Sequence, residues 1–180
     1  MEDIELVERY IKGEKGAMEG LIIKYQKQVY SIAFRMLNNI EDAKDMVQET
    51  FLRAIKGIKS FNKKASFKTW LYRIAINTSL NHLKERRHKD IGLNEEIAES
   101  KNDTLSEIIE DERWKYIKSS LERLPERQRL ALILRLYEGL SCKEAAEAMK
   151  CSEGALKAHY HQAIRKIRGF LRKNGYEIKG

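Results

Sequence analysis

The sequence predicts an all-α protein built from two small helical domains that are joined by an acidic linker. The chain has 180 residues and only one proline, Pro125, with long stretches free of both proline and glycine. Apolar residues recur at spacings of three and four over most of its length, which is the period of a buried helix face. A chain of this length has room for one domain or two small ones, each with a modest core.

The charge distribution supplies the division into domains. Residues 1–89 contain 18 Lys and Arg against 11 Asp and Glu, a net charge of +7. Residues 90–112 contain 1 against 9, a net charge of −8, and residues 113–180 contain 16 against 7, a net charge of +9. We therefore expect domains at 1–89 and 112–180, with a flexible acidic linker at 90–111. Basic domains favour a polyanionic partner such as nucleic acid, although a mild excess also serves solubility.

Two helices are predicted before residue 40. Ile4, Val7 and Ile11 share one face of a short first helix, which ends near Gly13. A longer helix begins near Ala17 and ends at about Asn38 and Asn39, residues that suit a helix end. Its apolar stripe consists of Leu21, Ile22, Tyr25, Val29, Ile32, Ala33, Met36 and Leu37.

The third predicted helix begins at Glu41 and ends near residues 57–60. Its buried face consists of Ala43, Met46, Val47, Phe51, Ala54, Ile55 and Ile58. Its opposite face consists of Asp42, Asp45, Gln48, Glu49, Leu52 and Arg53. On pattern alone this second face is a solvated surface, whose acidic residues suit the positive end of the helix dipole.

A polar, basic connector, residues 60–66, precedes the fourth predicted helix. On its own it is an ordinary interhelical loop. The helix that follows buries Phe67, Trp70, Leu71, Ile74, Ala75 and Leu83, and exposes a polar face of Lys68, Tyr72, Arg73, Asn77, Asn81, Lys84, Arg86 and Arg87. Amide and guanidinium groups beside an aromatic ring suit single-stranded nucleic acid, but many surface helices have this composition.

The C-terminal third predicts a helix-turn-helix. A helix over residues 113–123 carries Trp114, Ile117 and Leu121, and Pro125 marks the start of the next, whose stripe is Leu130, Ile133, Leu134 and Tyr137. Ser141 and Glu144 fit a capping box, and Ser152 fits the N-cap of a last long helix. Small residues at Ala145 and Ala146 allow the two short helices to cross closely.

Both halves resemble one family. Residues 41–54, EDAKDMVQETFLRA, followed by residues 67–87, FKTWLYRIAINTSLNHLKERR, are similar to region 2 of the bacterial sigma-70 superfamily, in its small extracytoplasmic-function (ECF) group. Residues 121–168, which include the helix-turn-helix, are similar to sigma region 4. The resemblance implies a dissociable subunit that binds core RNA polymerase, through its β and β′ subunits, and promoter DNA. It also implies an anti-sigma partner.

The resemblance assigns three sets of residues. The polymerase clamp would bind Asp42, Asp45, Gln48, Glu49, Leu52 and Arg53. The promoter −10 strand, including one flipped base, would bind Phe61, Asn62, Lys63, Lys64, Ser66, Tyr72, Arg73, Asn77, Asn81 and Lys84. The −35 duplex would bind Ser152, Glu153, Ala155, Lys157, Ala158, His159, Gln162 and Arg165, with Leu156 and Ala163 facing inward.

Some positions depart from the family pattern. Lys150 lies where the family generally has a turn glycine, and a left-handed backbone there would cost about 1 kcal/mol. His159 and Gln162 lie where arginines are common, so the −35 sequence preference does not follow from the resemblance.

Other functions receive less support. A stand-alone operator-binding regulator would explain the helix-turn-helix but would leave residues 41–87 without a role. A nucleic-acid enzyme would need paired carboxylates, a phosphate-binding glycine loop or a nucleophile with a base, and none is visible. Cys142, Cys151, His159 and His161 do not suit zinc, because two histidines two apart point in different directions on a helix. We expect no metal and no cofactor.

The absence of a signal-peptide or membrane-span pattern predicts a cytoplasmic protein without direct membrane insertion. The two cysteines, Cys142 and Cys151, do not form a disulfide framework, and a reducing cytosol argues against a bridge between them.

Overall fold

The structure, a computed structural model, describes the backbone of residues 2–92 and 118–175 and the side chains of residues 2–88 and 118–175. Within these ranges the chain is helical and contains no strand, which confirms the all-α prediction. The first domain contains α1 (Asp3–Ile11), α2 (Lys15–Leu37), α3 (Ile40–Gly57), a 3₁₀ turn (Ile58–Ser60) and α4 (Phe67–Gly92). The second contains α5 (residues 118–122), α6 (Glu126–Leu132), a π-helical turn (Ile133–Tyr137), α7 (Cys142–Ala148) and α8 (Glu153–Lys173).

A two-residue break joins α2 and α3 into a helical hairpin. Asn38 ends α2 in the left-handed conformation, with φ of 52°. Asn39 then caps α3, because its side-chain oxygen accepts a hydrogen bond from the backbone N–H of Asp42 at 2.9 Å. Asparagine tolerates positive φ and is a favoured N-cap, so these two residues fix the position of the turn, as the sequence predicted.

The core of the first domain is built from the predicted apolar stripes, although some of the residues predicted to be buried are only partly so: Ile22, Met46, Val47, Ile55, Trp70, Ile74 and Leu83. Leu21, Ile32, Phe67 and Leu71 are among its fully buried side chains. On α1, however, only Val7 is buried, while Ile4 and Ile11 are 40% and 48% exposed. The helix therefore contacts the core through Val7, with Leu6 and Tyr10 partly buried beside it.

The second domain contains the predicted helix-turn-helix. Ser141 and Glu144 form the capping box, with the Glu144 N–H donating to Ser141 Oγ at 3.2 Å and the Ser141 N–H donating to Glu144 Oε2 at 2.8 Å. Ser152 caps α8 by accepting from the Ala155 N–H at 3.1 Å. Leu156 and Ala163 are fully buried, as predicted. The π-helical turn after α6 was not predicted, since one widened turn leaves little trace in an apolar stripe.

Two predictions fall outside the described residues: the positions of Trp114 and Ile117, and the conformation of most of the linker. α4 continues to Gly92, past the predicted domain boundary at residue 89. Across the described part of the chain, no helix has both the length and the apolar character required to cross a bilayer.

The turn between α7 and α8 forces Lys150 into the left-handed region, with φ of 49°. The Cys151 N–H donates to the Ala146 carbonyl at 3.0 Å and the Lys150 N–H donates to the Glu147 carbonyl at 3.2 Å. These two bonds form a Schellman motif, in which glycine is the preferred residue at the left-handed position.

We expect Lys150→Gly to stabilise the protein. Removing the Cβ relieves about 1–2 kcal/mol of backbone strain, and the greater freedom of glycine in the unfolded chain offsets about 0.5–1 kcal/mol of that gain. A net gain near 1 kcal/mol corresponds to a rise in melting temperature of about 2–4 °C. Thermal unfolding followed by circular dichroism measures this. Lys150→Ala retains the strain and should show no comparable gain, and an equal gain in both variants would contradict the argument.

The two domains pack against each other and share one hydrophobic cluster. That cluster extends from Val7 and Leu21 of the first domain to Leu134 and Leu156 of the second. Polar contacts join the same surfaces: Arg129 donates to the Met36 carbonyl at 2.8 Å, and the Arg35 guanidinium lies 4.1 Å from the Tyr137 ring centroid. The sequence left the relative arrangement of the domains open, and the structure places them in contact.

Candidate polymerase and nucleic-acid interfaces

The six residues predicted to bind the clamp, called here the clamp surface, lie along one side of α3. Asp45, Gln48 and Arg53 are exposed, and Leu52 is 51% exposed although it is apolar. Glu49 accepts a hydrogen bond from Arg53 Nε at 2.6 Å, one helical turn away. Five of the six residues line an open groove between α3 and α4, together with α4 residues that include Asn81 and Glu85. The surface therefore offers the exposed carboxylate of Asp45 and the partly buried carboxylate of Glu49 beside an exposed leucine.

Asp42 differs from the rest of the clamp surface because it faces α4. Its Oδ2 accepts a hydrogen bond from Arg86 Nη1 at 3.0 Å and lies 3.3 Å from His82 Nε2. A carboxylate with two neighbouring cationic or imidazole groups has less charge to offer a partner. The structure therefore gives Asp42 a contact that ties α3 to α4, in addition to the polymerase contact predicted for it.

The loop between α3 and α4, residues 61–66, is called here the capture loop. Its base is an aromatic cluster in which the Phe61 ring centroid lies 5.4 Å from that of Trp70 and 5.9 Å from that of Phe67. Its far end is fixed by Ser66, whose Oγ accepts from the Thr69 N–H at 3.1 Å and so caps α4. Between these ends, Asn62, Lys63 and Lys64 are exposed.

Phe61 belongs to the predicted DNA-binding set, and the sequence left open whether its ring is buried. Its side chain is only 8% exposed, because the ring fills the space between Phe67 and Trp70. In this arrangement Phe61 supports the capture loop from below and presents no free ring face to a base. The exposed members of the predicted set in the loop are Asn62, Lys63, Lys64 and Ser66.

On α4, four of the predicted DNA-binding side chains follow one another along a single face at spacings of four, four and three: Arg73, Asn77, Asn81 and Lys84. Asn77, Asn81 and Lys84 are exposed. Arg73 is partly covered by the second domain, where its Nη2 donates to the Glu147 carbonyl at 3.2 Å.

Tyr72 was predicted to be exposed, and that prediction is wrong for this arrangement. Its side chain is 0% exposed, and its hydroxyl donates to Glu138 Oε2 of the second domain at 3.1 Å. Burial, reinforced by the Glu138 carboxylate, raises the pKa of the Tyr72 hydroxyl, so the group stays protonated and remains a donor. The cause is the packing of the second domain, which the pattern of α4 alone does not reveal.

The predicted −35 surface lies on the first half of α8. Ser152, Glu153, Lys157, Ala158, Gln162 and Arg165 are exposed, while Ala155 and His159 are partly buried. The Gln162 Oε1 accepts a hydrogen bond from Gln128 Nε2 at 2.7 Å, so its carbonyl is engaged within the domain. The exposed positions recur on one side of a helix whose opposite side carries Leu156 and Ala163. Unlike Tyr72, this face stays open while the two domains are in contact.

Sequence reasoning missed the residues that hold the domains together. Glu138 belongs to none of the predicted stripes or caps, yet its Oε1 accepts from Ser31 Oγ at 2.7 Å while its Oε2 accepts from Tyr72. Arg87 pairs with Glu126, and Asn38 donates to Glu122, across the same interface. No local pattern identifies such contacts, because each joins residues far apart in the chain.

Among the side chains of residues 2–88 and 118–175, no group of three or more His, Cys, Asp or Glu lies close enough to hold a metal ion. Cys142 and Cys151 are both free and partly buried.

Family models match both halves of the chain. Residues 21–89 match the family model described as Sigma-70 region 2, and residues 114–167 match Sigma-70, region 4. The chain is 35% identical over 173 residues to the RNA polymerase sigma-H factor of Pseudomonas aeruginosa, covering 90% of each chain. It is 34% identical over 172 residues to the ECF RNA polymerase sigma-E factor of Escherichia coli K12, covering 89% of this chain and 90% of that one.

Two solved structures share the fold. CnrH, solved in complex with the cytosolic domain of CnrY, has a TM-score of 0.75 at 21% identity and covers 96% of this chain and 99% of its own. The sigma factor RpoE of Bartonella quintana, solved in complex with the anti-sigma factor NepR, has a TM-score of 0.74 at 22% identity and covers 86% of this chain and 96% of its own. Two family models that together span more than half of the chain, and relatives above 30% identity along nearly all of it, establish that the protein is a member of the sigma-70 family of RNA polymerase sigma factors, in its ECF group.

Proposed function

We propose that this sigma factor binds core RNA polymerase through the clamp surface on α3, reads duplex −35 DNA with the exposed face of α8, and captures the single-stranded −10 element with the capture loop and α4. The observation that supports this division is the geometry of the three surfaces. The clamp surface, the α4 row and the α8 face lie on different helices, so one chain can engage polymerase and two DNA elements at once. The proposal assigns the chain no catalytic step, since bond formation belongs to the polymerase.

The chemistry of each surface supports its assignment. Carboxylates beside an exposed leucine suit a partner that presents basic and apolar groups. A helix that presents lysine, arginine and glutamine at its N-terminal half suits the major groove, in which base edges carry donors and acceptors. Amides and cations on a loop and an adjacent helix suit an unpaired strand, whose bases and phosphates are both accessible.

The contact between the two domains adds a step to the proposed mechanism. Tyr72 is buried against the second domain and Arg73 is partly covered by it, so both become fully available to a DNA strand when the domains separate. We infer that binding to polymerase favours the separated arrangement, since the −10 and −35 elements lie apart on a promoter. A partner that favours the packed arrangement would inhibit the protein. We propose that an anti-sigma factor does so, as NepR is the partner of RpoE in the solved complex.

Titration of the purified protein with core RNA polymerase, followed by run-off transcription from a library of promoter fragments, tests the proposal. Tight binding with initiation from a subset of fragments would support it and identify both elements. Failure to bind core, together with specific binding to a duplex operator, would favour a stand-alone regulator instead. Because its partners are polymerase and the chromosome, we place the action of the protein in the cytoplasm.

We expect Lys157→Ala to reduce −35-dependent transcription by about fivefold or more, because the loss of one DNA contact costs about 1–3 kcal/mol. Core affinity, measured by fluorescence anisotropy, should change by less than about twofold. Lys173→Ala is the matched control, since Lys173 is an exposed lysine at the other end of α8. Equal losses of transcription and core affinity in Lys157→Ala would contradict its assignment to the −35 surface.

A further inference from the structure

The N-terminal helix α1 contacts the capture loop although it lies outside the residues that match sigma region 2, which begin at residue 21. Glu8 on α1 and Lys63 at the apex of the loop form an ion pair, with 2.5 Å between Oε1 and Nζ. The two residues are 55 positions apart in sequence, so the contact is a product of the fold. The hydrogen bond from Lys63 lowers the pKa of the Glu8 carboxyl.

Lys63 occupies a position where the loop conformation is unusual. Its backbone is left-handed, with φ of 60°. The preceding residue, Asn62, accepts a hydrogen bond from the Lys64 N–H at 3.2 Å through its Oδ1. This bond occupies the amide oxygen of Asn62 and leaves the NH₂ group of this exposed residue available as a donor. The backbone of Lys63 connects Asn62 to Lys64, whose N–H holds the Asn62 amide. By binding the Lys63 side chain, Glu8 therefore also restrains the Asn62 amide.

α1 is itself anchored well enough to serve as a support. Asp3, near its start, accepts hydrogen bonds from Lys24 and from the Tyr25 hydroxyl on α2. Val7, in its middle, is 1% exposed in the core. The Tyr25 ring lies 5.8 Å from the Phe67 ring, which belongs to the aromatic cluster beneath the loop. Asp3 therefore holds the start of α1 on α2, and Glu8, five residues later, reaches the loop.

We propose that Glu8 is a positioning residue for the capture loop: by holding Lys63, it fixes the direction of Asn62 and sharpens selection among bases captured from the −10 strand. This inference rests on the proposed function of the loop. A binding group discriminates best when its supporting contacts fix it before the ligand arrives. The pairing also gives the two lysines different roles: Glu8 neutralises Lys63, whereas Lys64 forms no ion pair within the described residues and is the cation for a phosphate.

The size of the expected effect follows from the exposure of the pair. Both side chains are nearly half exposed, at 47% for Lys63 and 46% for Glu8. Solvent screening limits such pairs to small effects, so we expect a change of about two- to fivefold in base discrimination. An exposed ion pair with no influence on the loop is the alternative explanation, and the experiment is designed to separate the two.

The test measures how strongly the full-length protein, bound to core polymerase, discriminates among four single-stranded −10 oligonucleotides that differ only at the captured base. Discrimination is the ratio of the tightest to the weakest Kd. The variants are Glu8→Gln, which removes the charge with little change in shape, Glu8→Lys, and the exchanged pair Glu8→Lys with Lys63→Glu. Glu19→Gln is the matched control, since Glu19 is exposed on α2 and makes no ion pair within the described part of the chain.

We expect Glu8→Gln and Glu8→Lys to reduce discrimination while the exchanged pair recovers most of it and Glu19→Gln retains it. A purely structural role would lower the melting temperature and weaken all four oligonucleotides alike, leaving the ratio unchanged, and that result would overturn the inference. Failure of the exchanged pair to recover discrimination would also overturn it. If the wild-type protein binds none of the four oligonucleotides, the proposed function of the loop fails first.

Discussion

Replacing Asp45 and Glu49 together with lysine is expected to abolish measurable binding to core RNA polymerase, with a loss of at least about 100-fold in affinity. The two substitutions place cations where the clamp surface now presents carboxylates. Like charges opposed across an interface, or a charge left without its partner, cost about 2–5 kcal/mol. Fluorescence anisotropy or surface plasmon resonance with purified core polymerase measures the loss.

The same variant should remain folded. Within the described residues, the double substitution removes the ion pair of Glu49 with Arg53 on α3. Surface pairs at this spacing contribute about 0.3–0.5 kcal/mol to stability. Helicity and melting temperature should therefore stay close to those of the wild-type protein. Glu19→Lys, which also reverses an exposed charge in the first domain, is the control. Undiminished binding by the double variant would remove Asp45 and Glu49 from the polymerase interface.

Glu138→Lys is expected to separate the two domains of the free protein and to increase its affinity for a single-stranded −10 oligonucleotide about tenfold. Lysine cannot accept the hydrogen bonds that Ser31 and Tyr72 now donate to the carboxylate. Hydrogen bonds to a charged group contribute about 1.5–3 kcal/mol each, and 1.4 kcal/mol is already a factor of ten in an equilibrium. The new cation would also lie near Arg35, which stacks on the adjacent Tyr137 ring.

Small-angle X-ray scattering measures the separation as an increase in the radius of gyration, without labels. Ser31→Ala removes one of the two hydrogen bonds and should give a smaller change in the same direction, while Glu19→Lys should give none. An unchanged radius of gyration would show that the shared hydrophobic cluster holds the domains together without Glu138. Separation without a gain in oligonucleotide affinity would remove Tyr72 and Arg73 from the −10 surface.

Together these two predictions distinguish the functions of the first domain. The clamp surface on α3 stays exposed while the domains are packed, so its charge reversal should act on polymerase binding directly. Tyr72 on α4 is fully covered and Arg73 is partly covered, so Glu138 should act on them through the separation of the domains. The −35 face of α8 is also exposed in the packed arrangement. Packing of the domains therefore restricts access to the −10 surface more than access to the other two.

Much of the fold follows from local sequence patterns. Asn38 and Asn39 mark the break between α2 and α3, and Ser141 with Glu144 marks the start of α7, because capping depends on side chains within one turn of the helix end. Positive φ at Lys150 was predictable for the same reason, since the position in the turn requires it whatever residue is present. The buried stripes of α2, α4 and α8 were visible because helical period and burial are linked.

The state of individual site residues was less predictable. The aromatic rings of Phe61 and Tyr72 can either be buried in the core or stack on a base, so the sequence pattern permits both burial and exposure. Packing decided it: Phe67 and Trp70 enclose Phe61, and the second domain covers Tyr72. Asp42 has the same acidic character as Asp45 and Glu49 on α3, yet its carboxylate is bound by Arg86 on α4.

By itself, the sequence determined the helices, their caps, the two-domain composition and the membership of the family, since each of these depends on neighbouring residues or on motifs a few turns long. Only the tertiary structure decided which faces are covered. Glu138 against Tyr72 and Glu8 against Lys63 each join residues more than 50 positions apart. Such contacts form only after the helices pack, because the two partners of each contact lie on different helices.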